Sequence, residues 1–142
     1  MTTPGTTSPL PPSLPAARTA TRTTVRVAVT DAVLVLAFVL IGRASHGEGL
    51  LATLETYWPF LVGLTAGWLL TRAWRHPLAV VPTGLVIWVS TVLVGLGLRF
   101  ATGQGTQLSF MIVTAVVLGV FLLGWRAVTA LIRRRRRAAA RG

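Results

Sequence analysis

The chain has 142 residues, of which 53% are hydrophobic, and its mean hydropathy of +0.70 is higher than a soluble domain of this size can accommodate. All fourteen basic residues are arginine and only Asp31, Glu48 and Glu55 are acidic, which gives a net charge of +11. The arginines lie at the edges of apolar runs and in the two tails, as topology-setting charges do, so we expect no nucleic-acid partner. The absence of cysteine excludes disulfides, thiolate nucleophiles, iron–sulfur clusters and zinc–thiolate sites.

The two tails differ in composition from the middle of the chain. Residues 1–24 contain many threonines and five of the eight prolines, a composition that predicts a disordered cytoplasmic tail. The first apolar run starts only after Arg26, which is too late for a secretory signal, so we expect the first helix to be retained. Residues 132–142 are predicted to form a basic cytoplasmic tail.

Four apolar stretches approach the roughly 20 residues that a helix needs to cross a bilayer. They cover residues 27–42, 57–71, 78–98 and 108–130, and the first two need part of their loops, or tilt, to span. Unbroken apolar runs lack the alternation of barrel strands. The prediction is an all-α integral membrane four-helix bundle over residues 25–131.

Arginine placement predicts the orientation of this bundle. Twelve of the fourteen arginines lie before the first helix, between the second and third, or at the end of the fourth. Only Arg43 and Arg99 lie on the other side, where Glu48 and Glu55 are also found. The positive-inside rule therefore gives both termini in the cytoplasm (N-in, C-in) and a multi-pass protein of the cell membrane.

An internal duplication is one interpretation of two similar segments. Arg43 and Arg99 each begin the pattern Arg-x-x-x-Gly-x-Gly, and at the same offset Gly63 meets Gly119. The pattern would correspond to two repeated helical hairpins of the same orientation. The alternative is coincidence in a glycine-rich chain.

The outer polar cluster is the name we give to Arg43, Ser45, His46, Glu48 and Arg99. One interpretation is an outward-facing site that recognises an anion. The other is that each arginine stabilises the negative end of a helix dipole while the following glycines end the helix.

Asp31 is expected to lie about one turn inside the membrane, where an unpaired carboxylate is costly. Arg126 has a similar depth on the fourth helix, so an intramembrane Asp31–Arg126 ion pair is predicted, with Arg72 as the second candidate partner. The pair would either join the helices or, in the alternative, take part in a proton or ion relay. A relay lacks a second membrane carboxylate.

Small residues are placed so that helices can pack closely. Gly63 and Gly67 form a Gly-x-x-x-Gly pair, and Gly95 and Gly119 offer similar flat surfaces on the third and fourth helices. We expect them to pack the bundle internally; the alternative is a homo-oligomer contact.

No catalytic, metal or cofactor site is predicted. Ser45, His46 and Glu48 are the residue types of a hydrolase triad, but adjacent positions on a helix end cannot converge on one substrate. His76 lies on the opposite side from His46, and no dinucleotide or P-loop motif is present. We therefore expect no enzymatic activity.

The motifs together resemble the uncharacterised membrane family known as domain of unknown function 3054. The resemblance covers about residues 31–126 and implies a small multi-pass membrane protein without assigned activity. It is carried by Gly42-Arg43-Ala44-Ser45-His46, Glu48-Gly49, Trp58-Pro59-Phe60, Gly67-Trp68, Pro82-Thr83-Gly84, Gly103-Gln104-Gly105 and Gly124-Trp125-Arg126.

The sequence is compatible with two functions. The first is a membrane protein that handles a small solute or ion as an oligomer, with the outer polar cluster facing outside. The second is a structural or accessory membrane subunit. In either case we expect the arginines of residues 133–137 to attract anionic lipid.

Overall fold

The computed structural model describes residues 14–43 and 49–142. These residues form four α-helices: α1 (Leu14–Arg43), α2 (Leu50–Thr71), α3 (Leu85–Ala101) and α4 (Leu108–Ala139). A single π-helical turn, Val80–Gly84, leads into α3. No strand occurs in this described part of the chain, and the prediction of an all-α fold is confirmed.

Helices α1 and α4 extend beyond their apolar runs. We expected residues 1–24 to be disordered, but α1 begins at Leu14, and only residues 1–13 lie outside the described part. Pro15 falls in the first turn, where its missing N–H has no helical partner to lose, and the alanines after it favour the helix. Helix α4 likewise continues through the arginine run to Ala139, because arginine and alanine are both strong helix formers.

Within the described residues, three segments are long and apolar enough to cross a membrane: Arg18–Arg43, Val80–Ala101 and Leu108–Ala139. Helix α2 has 22 residues, about the length that a bilayer requires, but Glu55 and several threonines make it more polar. Thr53 and Thr56 are buried, whereas Leu54 and Val62 are exposed. Helix α2 thus turns these two threonines inward and apolar side chains outward.

Helices α2 and α3 form the closest helix pair. A Cβ atom on Gly63 would lie 2.9 Å from the Cα of Thr91, and one on Gly67 would lie 2.7 Å from the Cα of Ile87. The Ser90 hydroxyl donates a hydrogen bond of 2.9 Å to the Gly63 carbonyl oxygen. The glycines therefore let the two backbones meet, which in lipid replaces the hydrophobic effect as the source of packing energy.

The other two predicted packing glycines also face neighbouring helices. Gly95 leaves room for the ring of Phe60 from α2, and Gly119 lies against the indole of Trp88 from α3. All four glycines are thus used within one chain.

An apolar core fills the interior between the helices. Val35, Phe60, Ile87, Leu118 and Leu122 each have 0% exposure. Large apolar side chains also cover the outside, including Val116 and Val120 on α4, which are 59% and 64% exposed. A surface of this kind is suited to contact with lipid.

The bundle has two chemically different ends. The arginine-rich end combines the N-terminal part of α1, residues 72–79 and the last turns of α4, and residues from all three line one cavity. The opposite end combines the end of α1, the first part of α2, the end of α3 and the start of α4, which line another.

Candidate functional site

A buried ion pair joins α1 to α4 near the arginine-rich end. Asp31 and Arg126 are both 0% exposed. Nη1 of Arg126 donates to Oδ1 of Asp31 at 2.8 Å, and Nη2 donates to Oδ2 at 2.6 Å. The two parallel hydrogen bonds have the bidentate geometry that gives arginine–carboxylate pairs their strength. Arg72, the second candidate partner, is exposed and ends α2 in a left-handed conformation.

Two tryptophans donate further hydrogen bonds to the carboxylate of Asp31. The indole N–H of Trp68 donates to Oδ2 of Asp31 at 2.9 Å, and that of Trp125 donates to Oδ1 at 3.0 Å. Each carboxylate oxygen thus accepts two hydrogen bonds. Sequence reasoning did not find these donors, although a buried indole N–H generally requires an acceptor.

The guanidinium group of Arg126 also holds two backbone carbonyls. Nη1 donates to the Leu122 oxygen at 2.9 Å, and Nε donates to the Pro77 oxygen at 3.3 Å. The network therefore connects α1, α2, α4 and the 72–79 segment through one charge pair. A carboxylate held by four donors is suited to joining helices and poorly suited to passing a proton onward.

The arginine cavity is the name we give to a space of about 260 Å³ at the opposite end of the bundle. Arg43 from α1 and Arg99 from α3 both line it, although 56 residues separate them in sequence. The remaining lining residues are Phe38, Val39, Gly42, Thr56 and Phe110.

Both arginines form hydrogen bonds with neutral polar groups at the cavity. Nη1 of Arg43 donates to the Thr56 hydroxyl oxygen at 2.6 Å. Nη1 and Nη2 of Arg99 donate to the side-chain and backbone oxygens of Gln104 at 2.9 and 3.3 Å, and its guanidinium carbon lies 4.8 Å from the ring centre of Phe110. Arg99 is only 8% exposed, and its Nε has no hydrogen-bond partner in the described part.

Arg99 brings a buried positive charge to the cavity, beside the charge of Arg43. Arg43 and Arg99 lie close enough for the charge of one to act on the other. No described carboxylate forms a hydrogen bond or an ion pair with Arg99, and Glu55 is exposed. Two like charges facing one low-dielectric space raise the local positive potential, which an anion would neutralise.

The outer polar cluster is only partly within the described residues. The structure brings Arg43 and Arg99 together, whereas Ser45, His46 and Glu48 lie outside the described part. Among the described residues, Gln104, Thr56 and Phe110 also belong to the site. Their contribution depends on how the helices are rotated, which the linear sequence does not display.

The apolar core separates the arginine cavity from the buried ion pair. Along α1, Val35 lies between Asp31 and Arg43, and along α4, Leu118 and Leu122 lie between Phe110 and Arg126. These apolar residues are fully buried. The two polar sites are thus at different levels of a packed bundle.

A comparison with known proteins places this arrangement in a family. No curated protein and no solved structure matches the chain. A family model described as "Protein of unknown function (DUF3054)" matches residues 28–129, a region that contains Asp31, Arg126, Arg43 and Arg99. The resemblance seen in the sequence motifs is therefore confirmed. The chain belongs to the DUF3054 family, an uncharacterised domain family.

Proposed function

We propose that this chain is a multi-pass protein of the cell membrane that binds a small anionic solute in the arginine cavity. The bundle has four transmembrane helices, with both termini in the cytoplasm and the arginine cavity on the outer side. Three long apolar segments, the inward-facing threonines of α2 and the distribution of arginines support this placement.

One observation carries the choice of ligand: two buried or half-buried arginines from different helices line the same small cavity. A volume of about 260 Å³ would hold one small anion with a few waters, since a water occupies roughly 30 Å³ of liquid. The Nε atom of Arg99 is buried without a hydrogen-bond partner in the described part, so the guanidinium group is not fully satisfied by neutral protein groups. Phe38 and Phe110 reduce the polarity of the walls, which strengthens a charge-assisted hydrogen bond.

The packed interior limits how a bound solute could cross the membrane. Fully buried apolar side chains occupy the levels between the cavity and the ion pair. Movement of a solute across the membrane would therefore require a rearrangement of the bundle or a path formed between chains of a homo-oligomer. We propose binding as the basic activity, with handling of the solute by an oligomer as its extension.

The second candidate function is that of a structural or accessory membrane subunit. The saturated Asp31–Arg126 network and the glycine contacts between helices favour it, since both serve to make a rigid bundle. Under this hypothesis the two arginines at the opposite end only stabilise the ends of α1 and α3.

Anion-dependent thermal stability distinguishes these functions. The purified protein in a neutral detergent would be heated with sodium salts of chloride, sulfate, phosphate and acetate at constant ionic strength. We expect at least one anion to raise the unfolding temperature, because a ligand that binds only the folded state stabilises it. Arg99→Gln should abolish the increase, and Arg141→Gln, which removes an exposed charge near the C-terminus, should leave it intact. No increase with any anion would favour the accessory role.

The placement in the membrane can be tested separately, because the chain has no cysteine of its own. Single cysteines at exposed Gln107 and Ala140 would be treated with an impermeant maleimide in whole cells. We expect labelling at position 107 only. Labelling at both positions or at position 140 alone would contradict the orientation.

A further inference from the structure

The arginine-rich end contains a cavity of about 790 Å³ that the anion site does not use. It lies between the N-terminal part of α1, residues 72–79 and the last turns of α4. Four of its lining residues are arginines, and we call it the basic groove: Arg75, Arg133, Arg134 and Arg137.

The arginines of the groove come from one face of α4 and from the facing loop. Arg133, Arg134 and Arg137 have the helical spacing that places side chains together, whereas Arg135 and Arg136 in the same run do not line the groove. No described carboxylate lines it either. Several unneutralised guanidinium groups around one space are suited to a phosphate, whose oxygens accept paired N–H donors.

The depth of the groove corresponds to the membrane surface. It lies where the apolar part of α4 ends and the arginine run begins, and Trp74 beside it is 48% exposed. Arginine and tryptophan concentrate at this level because it adjoins the lipid phosphates and glycerol backbones.

An apolar slot continues from the basic groove along α4. This second space, of about 280 Å³, is lined by Val80, Ala127, Ala130, Leu131 and Arg134. Ala130 and Arg134 line both spaces. The small side chains of Ala127 and Ala130 leave room for an extended chain beside a charged head.

We propose that the basic groove and the apolar slot together bind one anionic glycerophospholipid. Its phosphate lies among the arginines of the groove, and one acyl chain occupies the slot between Val80 and α4. This site rests on the proposed membrane placement and is independent of the anion site at the other end. The bound lipid also covers the 72–79 segment, whose Pro77 carbonyl accepts a hydrogen bond from Arg126, so it stabilises the same loop as the buried ion pair.

A matched pair of double variants tests the headgroup contact. Binding of phosphatidylglycerol and phosphatidylcholine to the full chain in neutral detergent would be measured by native mass spectrometry. R133Q/R137Q and R135Q/R136Q remove the same charge, but only the first pair lies in the groove. We expect the first to weaken phosphatidylglycerol binding about tenfold more than the second, because paired charge-assisted hydrogen bonds are lost only there. Equal weakening would overturn the site and indicate general attraction to anionic lipid.

A second experiment tests whether the site binds a whole lipid or only a free phosphate. Ala127→Phe fills the slot, and Val128→Phe adds the same ring at the neighbouring exposed position outside it. Ala127→Phe should weaken binding of long-chain phosphatidylglycerol several-fold and leave that of glycerol phosphate unchanged, and Val128→Phe should change neither. If inorganic phosphate competes as well as the lipid, or if Ala127→Phe has no effect, the acyl contact is refuted. Arg99→Gln should retain lipid binding, so failure of the anion site would be seen separately.

Discussion

Arg126 and Arg99 are both buried arginines that face the interior of the bundle, with 0% and 8% exposure, but their surroundings differ. Arg126 forms a bidentate pair with Asp31, and the carboxylate receives two further hydrogen bonds from indoles. Arg99 contacts the neutral Gln104 and the ring of Phe110, and its neighbour across the cavity is Arg43, another positive charge.

The difference shows how the same residue type serves two purposes. A buried charge whose counter-charge comes from within the chain holds helices together, since separating the pair would leave both ions uncompensated. A buried charge that faces a like charge and an open space keeps its capacity for an external counter-ion. The contrast predicts that substitutions at the buried ion pair act mainly on stability and substitutions at the arginine cavity mainly on binding.

The largest effect is expected at the buried ion pair. Arg126→Gln leaves the Asp31 carboxylate without its counter-charge and should lower the free energy of unfolding by about 3–5 kcal/mol. Asp31→Asn should cost a similar amount, and the double variant should cost clearly less than the sum of the two. Unfolding in mixed detergents, analysed as a double-mutant cycle, measures the coupling. Additive losses would contradict the pairing, and Arg72→Gln at an exposed position is the control.

The next largest loss of stability is expected where α2 and α3 pack closely. Gly67→Leu places a side chain against the backbone of Ile87 and should destabilise the protein by about 1–3 kcal/mol through overpacking. Gly97→Leu is the matched control, since a Cβ at that exposed α3 position has no neighbour within 4 Å. The control should be neutral or slightly stabilising because leucine favours a helix more than glycine does. Equal losses in detergent unfolding would show that the α2–α3 contact does not determine the packing.

A smaller effect should follow from removing one indole donor at the ion pair. Trp68→Phe deletes one hydrogen bond to Asp31, but the same oxygen keeps its bond to Arg126, so we expect a loss of about 1–2 kcal/mol. Trp58→Phe is the control, since Trp58 is 39% exposed on the same helix and should change stability by less than about 0.5 kcal/mol. Indistinguishable unfolding curves for the two variants would mean that the indole adds nothing to the network.

The parts of this arrangement that sequence could predict are those that the membrane constrains. The apolar runs place the helix centres, and the cost of a buried carboxylate restricts Asp31 to a few possible partners. Helix α1 begins earlier, and α4 ends later, than the apolar runs indicate, because composition marks where an apolar run stops, whereas alanine and arginine extend the helix beyond it. The contacts of Trp68, Trp125, Thr56 and Gln104 depend on helix rotation and side-chain reach, for which one sequence carries no direct signal.

The smallest change in stability is expected at Arg99, and it provides the sharpest test of the contrast between the ends. Arg99→Gln removes the bonds to Gln104 and the contact with Phe110, which disfavours the folded state, but it also removes repulsion from Arg43, which favours it. These contributions oppose each other, so the net change without added anion should be within about 1 kcal/mol.

Arg126→Gln and Arg99→Gln should therefore be unfolded in parallel, with and without the anion that stabilises the native protein. We expect Arg126→Gln to lower stability strongly in both conditions and still respond to the anion, and Arg99→Gln to keep its stability and lose the response. If Arg99→Gln were as destabilising as Arg126→Gln in the absence of any anion, both arginines would be structural. The contrast between the two buried arginines would then disappear, and the accessory-subunit function would explain the molecule better than anion binding, because neither Arg126 nor Arg99 would have an anion as its main partner.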